Sequence, residues 1–128
     1  MARILVVDDD RALVLALSVR LRAAGLEVLT CHSAHDASHI AVHERPDAIL
    51  LDIDMPHFTG LELHECLNLA ARSRHIPVIY VSGSVNPIHR QIAFRQGAKA
   101  FLGKPFEHQA LLAMVHSVID LDRSEPSV

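Results

Sequence analysis

Five times along the chain, a short run of aliphatic and β-branched residues gives way to a longer segment whose apolar residues recur at helical spacing. No other feature restricts the fold as much. The runs predict strands over Arg3 to Val7, Glu27 to Cys31, Ala48 to Leu51, Val78 to Val81 and Ala100 to Leu102. The first, third and fourth are apolar without alternation, as strands buried on both faces are, and such strands belong to parallel sheets covered by helices. Strand and helix in alternation therefore predict a doubly wound α/β fold, five strands wide, with right-handed crossovers and helices on both faces.

Start and stop signals support that division. Asp10 is placed to cap a first helix in which Val14, Leu17, Leu21 and Ala24 share a face, and Gly25 suits a left-handed stop. Ser33 caps the second helix, Thr59 and Glu62 have the spacing of a capping box for the third, and Asn86 followed by Pro87 opens the fourth, which Gly97 closes. The last helix is expected from Glu107 to Asp120, with Leu111, Leu112, Val115, Val118 and Ile119 as its apolar stripe. One domain over residues 1–121 follows, with residues 122–128 as a polar tail or linker.

A chain of 128 residues, half of them apolar, buries enough surface to fold without a disulfide or a structural metal. Cys31 and Cys66 are accordingly expected as reduced thiols of the core. The formal charge of −3 disfavours direct nucleic-acid binding, which needs clustered Lys and Arg to neutralise phosphates. The apolar run after Arg3 has only Ile4, Leu5, Val6 and Val7, too short for a signal-peptide core or a membrane span, so a cytoplasmic location is expected.

Ligands in such sheets bind beyond the carboxyl ends of the strands, where strand order reverses. Those ends carry the unusual chemistry. The run "ILVVDDD" passes from a buried strand into three adjacent carboxylates, Asp8, Asp9 and Asp10, which repel one another. Asp10 belongs to the helix cap. Asp8 and Asp9 after the first strand, Asp52 after the third, Ser82 after the fourth and Lys104-Pro105 after the fifth can converge on one edge. Carboxylates, a hydroxyl and a lysine in a shallow cleft suit a hard divalent cation together with an anionic group that arrives beside it.

The segments "VVDDD", "ILLDIDMP", "PVIYVSG" and "GAKAFLGKPF" occur in the order and at the spacing of the receiver domain of bacterial two-component response regulators, which the chain resembles over about residues 3 to 120. The resemblance implies a flavodoxin-like sheet of order 2-1-3-4-5. It implies Asp52 as phosphoryl acceptor, Asp9 as a direct Mg²⁺ ligand, Asp8 as one acting through water, and the backbone carbonyl of Asp54 as a third protein ligand, with Mn²⁺ able to substitute. Ser82 takes the position of the switch hydroxyl, Lys104 that of the lysine paired with the phosphoryl group, and Phe101 that of the switch aromatic. Pro105 stands where the family has a cis peptide. The implied partner is a sensor histidine kinase or phosphotransfer protein, and the surface of the fourth helix, fifth strand and fifth helix is the responding face and a candidate homodimer contact. Such a domain is a signalling switch that catalyses, at most, its own phosphorylation and dephosphorylation.

Two other classes share some of these residues. A phosphatase of the haloacid dehalogenase type would use Asp52 and Asp54 as nucleophile and acid, but that family places the pair after its first strand. An interaction module that ignores phosphorylation would have no use for Asp8, Asp9, Asp52, Ser82 and Lys104 together. Departures from the family pattern are His57-Phe58-Thr59 before Gly60, Ser84 two residues after Ser82, and Gly103 directly before Lys104. His35, His39 and His43 recur every four residues on the second helix, which suits an exposed polar face better than a closed metal site. No histidine is expected in the strand-end cluster.

Overall fold

A computed structural model describes residues 1–124. The chain runs β1 (Arg3–Val7), α1 (Arg11–Ala23), β2 (Glu27–Cys31), α2 (Ala34–Glu44), β3 (Ala48–Leu51), α3 (Gly60–Leu69), β4 (Val78–Ser82), α4 (Pro87–Arg95), β5 (Ala100–Gly103) and α5 (His108–Ser124). All pairings are parallel, and the five strands lie in the order β2-β1-β3-β4-β5. The predicted architecture is the observed one.

The side-chain period of two sorts the sheet residues into two cores. Leu5, Val7, Ile49, Leu51, Val78 and Tyr80 face one layer, where Ala37 and Ala41 of α2, Leu63 and Leu67 of α3 and Ala93 of α4 close over them. Ile4, Val6, Ala48, Leu50, Ile79 and Val81 face the other, under Val14, Leu17 and Leu21 of α1 and Leu111, Val115, Val118 and Ile119 of α5. The small alanines of α2 let its backbone approach the sheet closely. β3 and β4 are buried throughout, whereas the edge strands β2 and β5 are largely half-exposed.

Local sequence accounts for the helix ends. Asp10, Ser33 and Asn86 accept from the backbone N–H groups of Leu13, Asp36 and Ile88, and Thr59 and Glu62 form the reciprocal capping box. Gly25 and Gly97 take positive φ after α1 and α4. Four expectations need correction. β4 and β5 each extend one residue further than the apolar runs, to Ser82 and Gly103, because these two pair with each other in register. Ala24 is exposed, since α1 has already ended before it. Cys66 is an exposed free thiol, lying off the Leu63 and Leu67 stripe of α3, while Cys31 is the buried one. α5 continues to Ser124, so residues 122–124 of the expected tail are helical. Nothing before Pro126 opposes helix, and the residue preceding a proline is the first disfavoured there. The remainder of that tail, 125–128, lies outside the described residues. Among the described residues no helix is long and apolar enough to cross a membrane.

Candidate functional site

Backbone hydrogen bonds carry the sheet pairing past the strand ends and bring the polar residues together. The Asp8 N–H donates to the Cys31 carbonyl at 3.2 Å, that of Asp52 to Val7 at 3.0 Å, and that of Lys104 to Ser82 at 3.0 Å. Asp8 and Asp52 are thereby fixed on adjacent strands and are only 3% and 5% exposed. Asp9 is exposed, yet one oxygen from each of Asp8, Asp9 and Asp52 lies within 4.8 Å of the others.

The charge in this group is only partly compensated. Lys104 Nζ sits 2.7 Å from Asp8 Oδ2 and 3.8 Å from Asp52 Oδ1, so its closer partner is Asp8. Asp8 Oδ1 accepts from the Asp10 N–H at 2.9 Å. Burial, then the neighbouring Asp8 carboxylate, push Asp52 up to about 6 against the opposing pull of Lys104. A buried carboxylate raised by a like-charged neighbour marks a place where additional positive charge is favourable. Three hard oxygen donors at this spacing fit Mg²⁺ or a similar divalent ion, for which carboxylates are the preferred protein ligands. The Asp54 side chain is exposed and outside the carboxylate group, while its backbone N–H lowers the Asp52 carboxyl a little against the effect of burial.

Ser82 is fully buried, and its Oγ accepts from the Ser84 N–H at 3.2 Å. Ser84 Oγ in turn lies 2.6 Å from His89 Nδ1 in the first turn of α4. A Cβ on Gly83 would meet only Lys104 Cβ, at 3.9 Å, which leaves the approach to Ser82 open. The Lys104-Pro105 peptide is cis, as the sequence resemblance implied. Phe101 is half-buried and stacks on Tyr80, with ring centroids 5.8 Å apart, while the Arg90 guanidinium lies 5.2 Å over its outer side.

Three features escaped sequence reasoning. Gly60 abuts the end of β3: a Cβ there would lie 2.0 Å from the Asp52 carbonyl oxygen, so only glycine lets α3 start at this point. Tyr80 and His64, both buried, join at 2.8 Å between hydroxyl and Nδ1, and burial pushes His64 down to about 4. A tyrosine in a run as apolar as "PVIYVSG" was the available signal, because a buried hydroxyl requires a partner. His32 Nδ1 reaches the Asp8 backbone carbonyl at 3.2 Å, outside the group formed by the carboxylates of Asp8, Asp9 and Asp52. The histidine row of α2 is exposed, and the three carboxylates are the one group of metal-ligating side chains among the described residues.

The sequence matches the response regulator receiver domain family over residues 4–116. Protein PilH of Pseudomonas aeruginosa is 34% identical over 119 residues, which cover 93% of this chain and 98% of PilH. The response regulator MprA of Mycobacterium avium is 35% identical over 124 residues, covering 97% of this chain but 53% of MprA, so the chain spans about half of that relative. Among solved structures, a CheY-like receiver domain protein from Methanospirillum hungatei has a TM-score of 0.93 at 27% identity, covering 98% of this chain and 99% of its own. The chemotaxis protein CheY4 of Vibrio cholerae has a TM-score of 0.86 at 30% identity, with 92% and 98% covered.

Proposed function

Because the chain belongs to the response regulator receiver domain family of two-component signalling, we propose that it takes a phosphoryl group from a phosphohistidine donor onto Asp52 and changes its surface in response. The observation that carries this reading is the setting of Asp52, buried beside Asp8 with Lys104 Nζ at 3.8 Å. An Asp52 oxygen attacks phosphorus as the bond to the donor nitrogen breaks, and the electron pair of that bond leaves with the imidazole. Lys104 balances the charge on the transferred oxygens, for which it must turn from Asp8 toward Asp52. Asp8, Asp9, Asp52 and the Asp54 carbonyl would hold Mg²⁺, or Mn²⁺ in its place, which supplies further neutralisation of those oxygens.

The acceptor then carries roughly −2 charge in a buried place. Ser82 then exchanges its bond from Ser84 for one to the phosphoryl group. Its departure makes room on the β4–β5 side, where Phe101 can turn inward, and the face of α4, β5 and α5 is remodelled as the surface offered to a target or to a second copy. A sensor histidine kinase or a phosphotransfer protein is the donor, which places the reaction in the cytoplasm.

Incubation with acetyl phosphate and Mg²⁺ should give a hydroxylamine-labile mass increase that EDTA prevents and Asp52→Ala abolishes. An equal increase in Asp52→Ala would move the acceptor elsewhere. Multiple turnover of a generic phosphomonoester would favour the phosphatase reading instead.

A further inference from the structure

At the amino ends of β4 and β5, away from the carboxylates, lies a cavity of about 310 Å³ lined by α3, the loop into β4 and the loop between α4 and β5. Its polar lining is one-sided. Arg74 and His75 come from one loop and Lys99 from the other, and no Asp or Glu is among its described lining residues. Asn68 Nδ2 donates to the Gln96 carbonyl at 2.8 Å, tying α3 to the end of α4 and making this wall rigid.

The cavity also touches the switch. His64 spends Nδ1 on the Tyr80 hydroxyl, so the other edge of its ring is the one that lines the cavity. Tyr80 contacts His64 with ring centroids at 5.6 Å on one side and Phe101 at 5.8 Å on the other. Three rings thus connect the cavity wall to the half-buried aromatic of β5.

We propose that this cavity binds a small phosphomonoester, whose anionic head pairs with Arg74, His75 and Lys99, and that occupancy is transmitted to Phe101 through His64 and Tyr80. The volume is at the low end for ligand cavities and suits a molecule of few carbons. The cations select for negative charge, with no carboxylate among the described lining residues to compete for them. A ligand oxygen beside His64 fixes the proton on Nε2. Nδ1 is then the acceptor, the Tyr80 hydroxyl must donate to it, and the ring on which Phe101 stacks is held in one orientation. Binding is independent of the phosphoryl-acceptor reading, and its consequence for signalling rests on that reading.

Glycerol 3-phosphate, titrated into the whole chain in EDTA at constant ionic strength and followed by nuclear magnetic resonance, tests both parts. Saturable shifts are expected at the amides of Asn68, Gln96, Gly97 and Lys99 and in the rings of His64, Tyr80 and Phe101. R74Q/K99Q should lose about tenfold in affinity. Tyr80→Phe should retain binding while the Phe101 response shrinks, and Asp52→Ala should retain both, whatever the fate of the acceptor assignment. Shifts that never saturate, or that are equal in wild type and R74Q/K99Q, would overturn the site. Saturable binding with an unmoved Phe101 ring would overturn the coupling.

Discussion

Asp52 and His64 are both buried against their charged forms, and their effects on stability run in opposite directions with pH. Asp52 titrates near 6 in the fold against 3.8 outside it, so the folded state holds the extra proton, and stability falls as pH rises from about 4 to about 6. His64 titrates near 4 in the fold against 6.5 outside it, so the unfolded state holds the extra proton, and stability falls as pH drops from 6.5 toward 4. Each effect is about 3 kcal/mol when fully expressed, at 1.36 kcal/mol per unit. In EDTA the two should largely cancel over the shared window. Asp52→Asn should then leave the His64 slope, with stability rising by about 2–3 kcal/mol between pH 4.5 and pH 6.5 relative to wild type. His64→Phe should reveal the opposite slope. Urea unfolding of the three proteins at those two pH values checks the signs, and parallel profiles would show that neither group is held as described.

At the scale of elements, the junction between β3 and α3 is the least tolerant. Gly60→Ala drives a methyl group into the Asp52 carbonyl, so either α3 or Asp52 must shift, and about 2 kcal/mol or more of stability should be lost. Gly103→Ala meets nothing within 4 Å and should change stability by less than about 0.5 kcal/mol. Equal losses for the two in chemical denaturation would show that space at Gly60 is not what matters. This junction also marks where the sequence stops being legible. β1, β3 and β4 could be read from it because burial on both faces requires apolar residues at every position, and Asp8, Asp52 and Lys104 could be read because they end such runs. The contact of Gly60 with Asp52 depends on how α3 returns over the strand, and the partnership of His64 with Tyr80 joins two elements, so neither leaves a periodic trace. The end of α5 is hidden in the sequence because polar residues such as Asp122 and Arg123 look like a linker yet are compatible with helix.

For the whole molecule, the sheet divides two cores whose shared wall is β1, β3 and β4, while β2 and β5 have one open edge each. Amide hydrogen exchange should therefore be slowest in β1, β3 and β4, approaching the rate set by global unfolding, and at least about tenfold faster in β5, whose opening breaks fewer apolar contacts. Amides of Phe101 and Leu102 as slow as those of Ile49 and Leu50 would contradict that division. The β4–β5 register sets Ser82 beside Gly103 and Tyr80 beside Phe101, two residues or about 7 Å apart along the strands. On the proposed reading, a shift at Ser82 reaches Phe101 through two peptide units, with no hinge or domain movement between them. A half-exposed ring reorients far faster than an acyl phosphate hydrolyses. On the same proposed reading, the duration of a signal is set by the survival of the bond at Asp52, and the memory of the molecule is chemical.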